Sequence, residues 1–194
     1  NRLSKLGIEF SPPASRESLI RRITFDLIGL PPSPSEVEEF INDETPQAWS
    51  RLVDRLLDSP EFGVRWGRHW LDVAGYAESE GGSGNDIKRP HAWHFRNYVI
   101  QSFNQNKPID QFIVEQIAGD ELIDGSPDNK NPRHVELLTA TGFMRMAPDS
   151  TQNDNSLENR NQAAADAIQV ISSSMLGLTV GCAQCHDHKY DPIG

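Results

Sequence analysis

The sequence predicts an all-α fold, an irregular multi-helix domain with long polar loops. Three observations carry that prediction. Ser, Thr or Asn followed by Pro recurs as a helix start, a capping side chain with the next ring preset at the first helical position. Apolar residues recur at spacings of three, four and seven, the period of one helix face. No segment alternates apolar and polar residues with period two between hairpin turn signals.

Taken in order, the first stop is Gly29, placed before Pro31-Pro32. Ser33-Pro34-Ser35-Glu36 is a capping box, and Thr45-Pro46 and Ser59-Pro60 repeat the Ser/Thr-Pro start. The segment from Phe62 to Val73 (FGVRWGRHWLDV) reads as a helix with His69 on its apolar face, near Trp66 and Val73 on a helical wheel. Ser79 to Arg89 (SEGGSGNDIKR) is Gly-rich but lacks the Gly-Lys-Ser/Thr ending of a phosphate loop, so it reads as a flexible loop. His91 and His94 flank Trp93 at a further helix start, where capping is their expected role. The next helix carries the stripe Ile109, Phe112, Ile113, Gln116 and Ile117 and stops at Gly119. Asp120 to Asn131 is a surface loop whose acidic spacing is not that of an EF-hand. Asn131-Pro132 opens another helix, and Pro148 to Asn161 is polar enough to form a flap. The last long helix places Leu157, Ala164, Ile168, Ile171 and Met175 on one continuous apolar face.

A chain of 194 residues buries a real core, and residues 1–194 read as a single helical domain. Both ends look like cuts in a larger, processed, multi-module protein. The formal net charge of −10 has no basic stripe to offset it, which argues against nucleic acid as a partner. No stretch approaches the run of consecutive apolar residues that a membrane span requires.

Chemistry concentrates in Cys182-Ala183-Gln184-Cys185-His186, which uses the only two cysteines of the chain. C-x-x-C-H is the attachment pattern of c-type haem, and chance produces it here in roughly one case in several thousand by composition alone. Each thiol can add across a porphyrin vinyl group, and the adjacent imidazole then lies under the iron. A thioredoxin-like pair would follow a strand in a βαβ pattern, whereas Met175 to Gly181 closes a helical stretch. A structural zinc site wants four Cys/His ligands, and here Cys182, Cys185 and either His186 or His188 supply three. A disulfide across the two-residue gap is the remaining alternative, a strained one.

For the iron's other face the donors are His69, His91, His94, His134, His188, Met144, Met146 and Met175. His188 follows His186 too closely to reach the opposite side. His69 stands out because it sits on an apolar stripe beside Trp66 and Trp70, although such a histidine is often only a hydrogen-bonded core residue. Met175 is expected to pack in the core.

Several segments resemble one family. Gly177 to Ile193 (GLTVGCAQCHDHKYDPI) resembles the signature of the planctomycete cytochrome-c-like domain catalogued as a domain of unknown function. Arg21 to Pro32 is similar to its opening helix, Arg65 to Asp72 to its Trp-rich helix, and Phe103-Asn104 with Glu115 to Asp120 to its central block. The resemblance implies covalent haem c on Cys182 and Cys185, with His186 as proximal ligand. It also implies an exported protein with a further cytochrome-like module before this domain and an uncharacterised one after it. In the charged run that follows, His188 or Lys189 would neutralise a propionate and Asp187 or Asp191 would orient a ring nitrogen; the alternative is an exposed turn ended by Pro192.

The expected function is therefore an electron-transfer module at the periplasm or cell surface, working with a redox partner protein or a neighbouring cytochrome module. The alternatives are a haem enzyme or sensor with an open distal site near Arg65, Arg68 or His69, and a scaffold domain whose C-x-x-C-H holds zinc. No Ser/His/Asp or paired-carboxylate constellation suggests a hydrolase.

Overall fold

The computed structural model describes the chain except residues 1, 8–9, 81–85, 148–150, 152–155, 191 and 194. The described residues are all-α. The elements are α1 (Arg2–Lys5), α2 (Arg16–Ile28), α3 (Pro34–Asn42), α4 (Ala48–Leu57), α5 (Pro60–Val73), α6 (Ala92–Asn104), α7 (Ile109–Ala118), α8 (Pro132–Ala140) and α9 (Leu157–Ile171). Short 3₁₀ turns lie at Asp120–Leu122, Thr141–Arg145 and Val180–Gln184, and a π turn extends α9 over Ser172–Leu176. The fold divides into two compact units, Asn1–Phe62 and Gly63–Gly194, with the division in the first turn of α5.

The first unit is held by Ile20 of α2, Phe40 of α3, and Ala48, Leu52 and Leu56 of α4. Its helix ends follow the local chemistry. Gly29 closes α2 at φ 73°, a left-handed conformation that glycine adopts without steric cost. At α3 the Ser33 hydroxyl accepts from the Glu36 amide at 3.3 Å, and the Glu36 carboxylate accepts from the Ser33 amide at 2.7 Å. Arg16 donates to the carbonyls of Phe40 and Asp43 while its guanidinium lies 4.2 Å from the Phe40 ring centre. Thr45-Pro46 does not start α4, which begins at Ala48 with no side-chain cap. The Thr45 hydroxyl is already spent: it donates to Asp43 at 2.6 Å and accepts from Arg51 at 2.6 Å.

In the second unit the core joins Leu71 and Ala74 to Phe95, Tyr98 and Val99 of α6, Phe112 of α7, Ala140 of α8, Phe143 and Met146. Val170, Ile171 and Met175 pack against this core from the end of α9 and its π turn. Glycines bring α5 and α6 together. The amide of Gly63 donates to the Asn104 side chain at 2.7 Å, and a Cβ at Gly63 would meet Asn104 Cγ at 2.6 Å and the Ile100 carbonyl. Gly119 ends α7 with right-handed backbone, and a Cβ there would meet the Leu137 carbonyl oxygen at 2.5 Å. Its job is close approach to α8 rather than a left-handed cap.

The buried face of α7 is rotated from the apolar stripe of the sequence. Phe112, Glu115 and Gln116 are buried, whereas Ile109 and Ile117 are exposed. Two polar side chains lie inside because partners wait there. Gln116 accepts from the Trp70 indole at 2.8 Å and donates to the Phe112 carbonyl at 2.9 Å. Glu115, fully buried, accepts from Tyr98 at 2.8 Å, Gln111 at 2.7 Å, Arg133 at 2.6 Å and Lys107 at 2.5 Å. Glu136 ties the same two cations, Lys107 and Arg133, each at 2.7 Å.

The described ends of two loops have partners; residues 81–85, 148–150 and 152–155, on which the flexible-loop and flap readings largely fall, lie outside the described residues. The Gly-rich stretch begins and ends in an antiparallel bridge between Ser79 and Lys88, and Arg89 pairs with Glu80 at 2.7 Å. His91 precedes α6 without capping it. The polar stretch before α9 ends at Ser156, whose hydroxyl accepts from the Asn159 amide at 3.3 Å.

Two predictions follow from this packing. Gly63→Ala places a methyl group against backbone and a hydrogen-bonded amide, so it should destabilise the second unit by about 1–3 kcal/mol in urea unfolding. Burial pushes the Glu115 carboxyl up, but hydrogen bonds from Lys107, Gln111, Arg133 and Tyr98 outweigh it and hold the group at about 2. The unfolded chain therefore takes up the proton first. Stability from this group is complete above the ordinary carboxylate range and is lost as pH falls towards 2. Glu115→Gln should cost ~3–5 kcal/mol at neutral pH. It should also flatten the acid limb of stability against pH, followed by circular dichroism.

Candidate functional site

The π turn after α9 ends at Gly177, φ 66°, whose amide donates to the Ser172 carbonyl. That left-handed residue reverses the chain, and the 3₁₀ turn Val180–Gln184 then lies back along α9. Gly181 permits the approach, since a Cβ there would stand 3.0 Å from the Gln169 side chain. Gln184 fastens the turn by donating to Gln162 at 3.2 Å.

Cys182 and Cys185 sit on this turn, where the Cys185 amide donates to the Cys182 carbonyl at 3.3 Å. Both thiols are free and exposed. His186 follows, also exposed, with Nδ1 2.9 Å from the Asp187 carbonyl oxygen. A proton on Nδ1, donated to that carbonyl, leaves Nε2 with its lone pair, the form in which a histidine ligates a metal. The three residues thus stand together at the surface. Beside them is a cavity of about 280 Å³ lined by Ala165, Ile168 and Gln169 of α9 and by Val180, Ala183 and Ile193 of the tail.

The charged run after the motif has local partners. The His188 amide donates to the Ile193 carbonyl at 2.7 Å, and His188 Nδ1 accepts from the Tyr190 amide at 3.3 Å. The Lys189 ammonium is 5.1 Å from the Tyr190 ring centre. Asp187 engages His186 through its carbonyl, and Asp191 lies outside the described residues.

His69 differs from its expected setting. The buried face of α5 is Gly63, Gly67 and Leu71, and His69 is exposed, as are Trp66 and Val73. The two glycines decide this: they turn inward where α6 comes close, and Val64, Trp66 and Val73 turn outward. The His69 ring keeps one expected neighbour, Trp66, at 5.5 Å between centres. Arg65 is half-buried, and Arg68 is exposed 3.9 Å from Asp72.

Among the other donors, Met146 is buried in the core and Met175 packs against it, as expected of Met175. His134 accepts from the Asp128 amide at 3.1 Å. His91 and His94 line a larger cavity of about 590 Å³ with Phe95, Val135, Leu138 and Met146, and neither cysteine lines it. Met144 is exposed.

A family model matches residues 1–194 in full; its description is PSCyt2, protein of unknown function (DUF1549). The chain belongs to this family. No curated protein and no solved structure matches the chain. DUF1549 thus extends across both compact units. No helix among the described residues of this DUF1549 chain is long and apolar enough to cross a membrane.

The sequence reading missed the residues that back the motif. Ala165 and Gln169 carried no signal of their own, and Ile168 was visible only as part of an apolar stripe. Glu115 was missed as well, because its cations lie on a loop and on another helix.

Proposed function

We propose that this chain is a c-type haem-bearing electron-transfer module of an exported multi-domain protein. Cys182 and Cys185 are its attachment points and His186 its proximal ligand. The observation that carries this reading is the surface turn on which two free, exposed thiols stand, the second directly before an exposed imidazole. The donor set fits the group: both sulfurs are reachable from solvent, and the histidine has a carbonyl partner that leaves the other ring nitrogen for a metal.

Each cysteine would contribute by adding S–H across a vinyl C=C. A C–S bond forms, the thiol hydrogen goes to the neighbouring carbon, and no net oxidation occurs. His186 would hold the proximal side, and bound haem supplies a one-electron ferric/ferrous couple. Attachment needs reduced thiols and export-side ligation machinery, so the reading places the protein at the periplasm or cell surface. A redox partner protein or a neighbouring cytochrome module would exchange its electrons.

Protein matured in an exporting host with haem-ligation machinery should retain haem through acid–acetone extraction and stain for peroxidase on denaturing gels. Cys182→Ala together with Cys185→Ala should abolish both signals. Wild-type protein without covalent haem would reject the reading.

For the sixth position the reading keeps His69, an exposed imidazole beside Trp66. Bis-His ligation gives a low-spin spectrum and a lower potential than His/Met ligation. His69→Ala should then turn the iron high-spin and let it bind carbon monoxide. A low-spin spectrum unchanged by that substitution assigns the position to another donor, and a high-spin wild type favours an open-site enzyme or sensor.

A further inference from the structure

The cavity of about 590 Å³ beside the start of α6 is a second place where chemistry converges, and neither cysteine nor His186 lines it. Its size falls within the usual range of small-molecule sites, ~300–1,000 Å³. Phe95 of α6 and Met146 contribute buried apolar surface to it. Val135 and Leu138 of α8 also line it and stay 43 % and 39 % exposed, so folding leaves apolar area open there.

Flat and charged groups complete the lining. The rings of His91 and His94 stack with centres 6.1 Å apart, and His94 lies on Trp93 at 3.7 Å, so exposed aromatic faces border the cavity. Arg89 and Glu80 form an ion pair in its wall, with side chains 9 % and 13 % exposed. Arg89 also donates to the carbonyls of Met146 at 3.1 Å and Ala147 at 3.0 Å, which fixes it as part of the wall. Arg145, exposed, adds a second guanidinium, so the lining carries two arginines against one carboxylate that is already paired. On a chain of formal net charge −10 this is a local excess of positive charge beside open apolar surface.

We infer that this cavity is a binding site for a small aromatic carboxylate, its ring against the histidines and the apolar wall and its carboxylate towards Arg145. Each part of such a ligand has a counterpart on the lining. A planar ring gains from stacking and from burial together, and a guanidinium meets a carboxylate through paired N–H donors. A cation of the same shape would meet Arg145 as a like charge, and Glu80 is held by Arg89. The inference stands apart from the haem reading, because the cavity and the cysteine turn share no residue.

The test is calorimetric titration of the whole chain with naphthoate and with naphthylmethylammonium, which pair the same ring with opposite charges. The wild type should bind naphthoate about tenfold more tightly than the cation, and added salt should narrow the difference. Arg145→Glu should weaken naphthoate binding by about tenfold and remove the preference for the anion. Val135→Trp fills the cavity from its exposed wall and should weaken both ligands, with Arg145→Glu serving if the tryptophan variant does not fold. No naphthoate binding by the wild type up to about 1 mM would overturn the inference. Equal affinity for the two ligands, or naphthoate affinity unmoved in both folded variants, would overturn it as well. The presence or absence of covalent haem leaves each of these outcomes unchanged, so this test and that of the haem reading fail separately.

Discussion

The second unit depends on one buried anion. Glu115 has no solvent of its own, and a carboxylate in that position survives only if its charge is met on several sides. Four donors do so, and they come from α6, the segment before α7, α7 itself and α8. The hydrogen bond from Tyr98 and the burial of that ring push the phenol well above its ordinary range, so it stays a donor. The Lys107 ammonium stands 4.6 Å from the Tyr98 ring centre, a cation on an aromatic face as well as in an ion pair. Aromatic packing then continues from Tyr98 to Phe112 at 5.9 Å and from Phe112 to Trp70 at 5.0 Å. Loss of the anion would leave Lys107 and Arg133 to Glu136 alone and disturb the rings beside them.

What the sequence made legible were features settled within four or five residues. The capping box at Ser33, the left-handed stop at Gly29 and the Asn131-Pro132 start all form as read, because partner and cap lie in one turn. Thr45-Pro46 failed as a start for an equally local reason, since Asp43 takes the hydroxyl first. Helix faces were less legible. Periodicity locates a stripe but not what it will meet: α7 keeps Phe112 and Gln116 of its stripe inside but buries Glu115 while Ile109 and Ile117 face out, and the α5 stripe yielded to Gly63 and Gly67. In both helices a distant element decided. Close contact with α6 favours glycine over tryptophan, and a waiting pair of cations favours glutamate over isoleucine.

The candidate site divides in the same way. Cys182, Cys185 and His186 were singled out from order and spacing alone, and the fold sets the three on and just after one exposed turn. His69 was chosen from an assumed burial that belongs to glycine instead. The residues behind the motif on α9 became visible only when the reversal at Gly177 laid the turn across them.

That reversal has a kinetic side. Because α9, the π turn and the cysteine turn are consecutive, their contacts span short stretches of chain; the hydrogen bond between Gln162 and Gln184 joins residues 22 apart. Closing loops of this size costs little entropy, and each doubling adds only about 0.6 kcal/mol. The Glu115 network, by contrast, gathers its groups from separate helices. Low contact order favours early formation. The two thiols can therefore be presented on their turn, seated on α9, while the rest of the unit is still assembling.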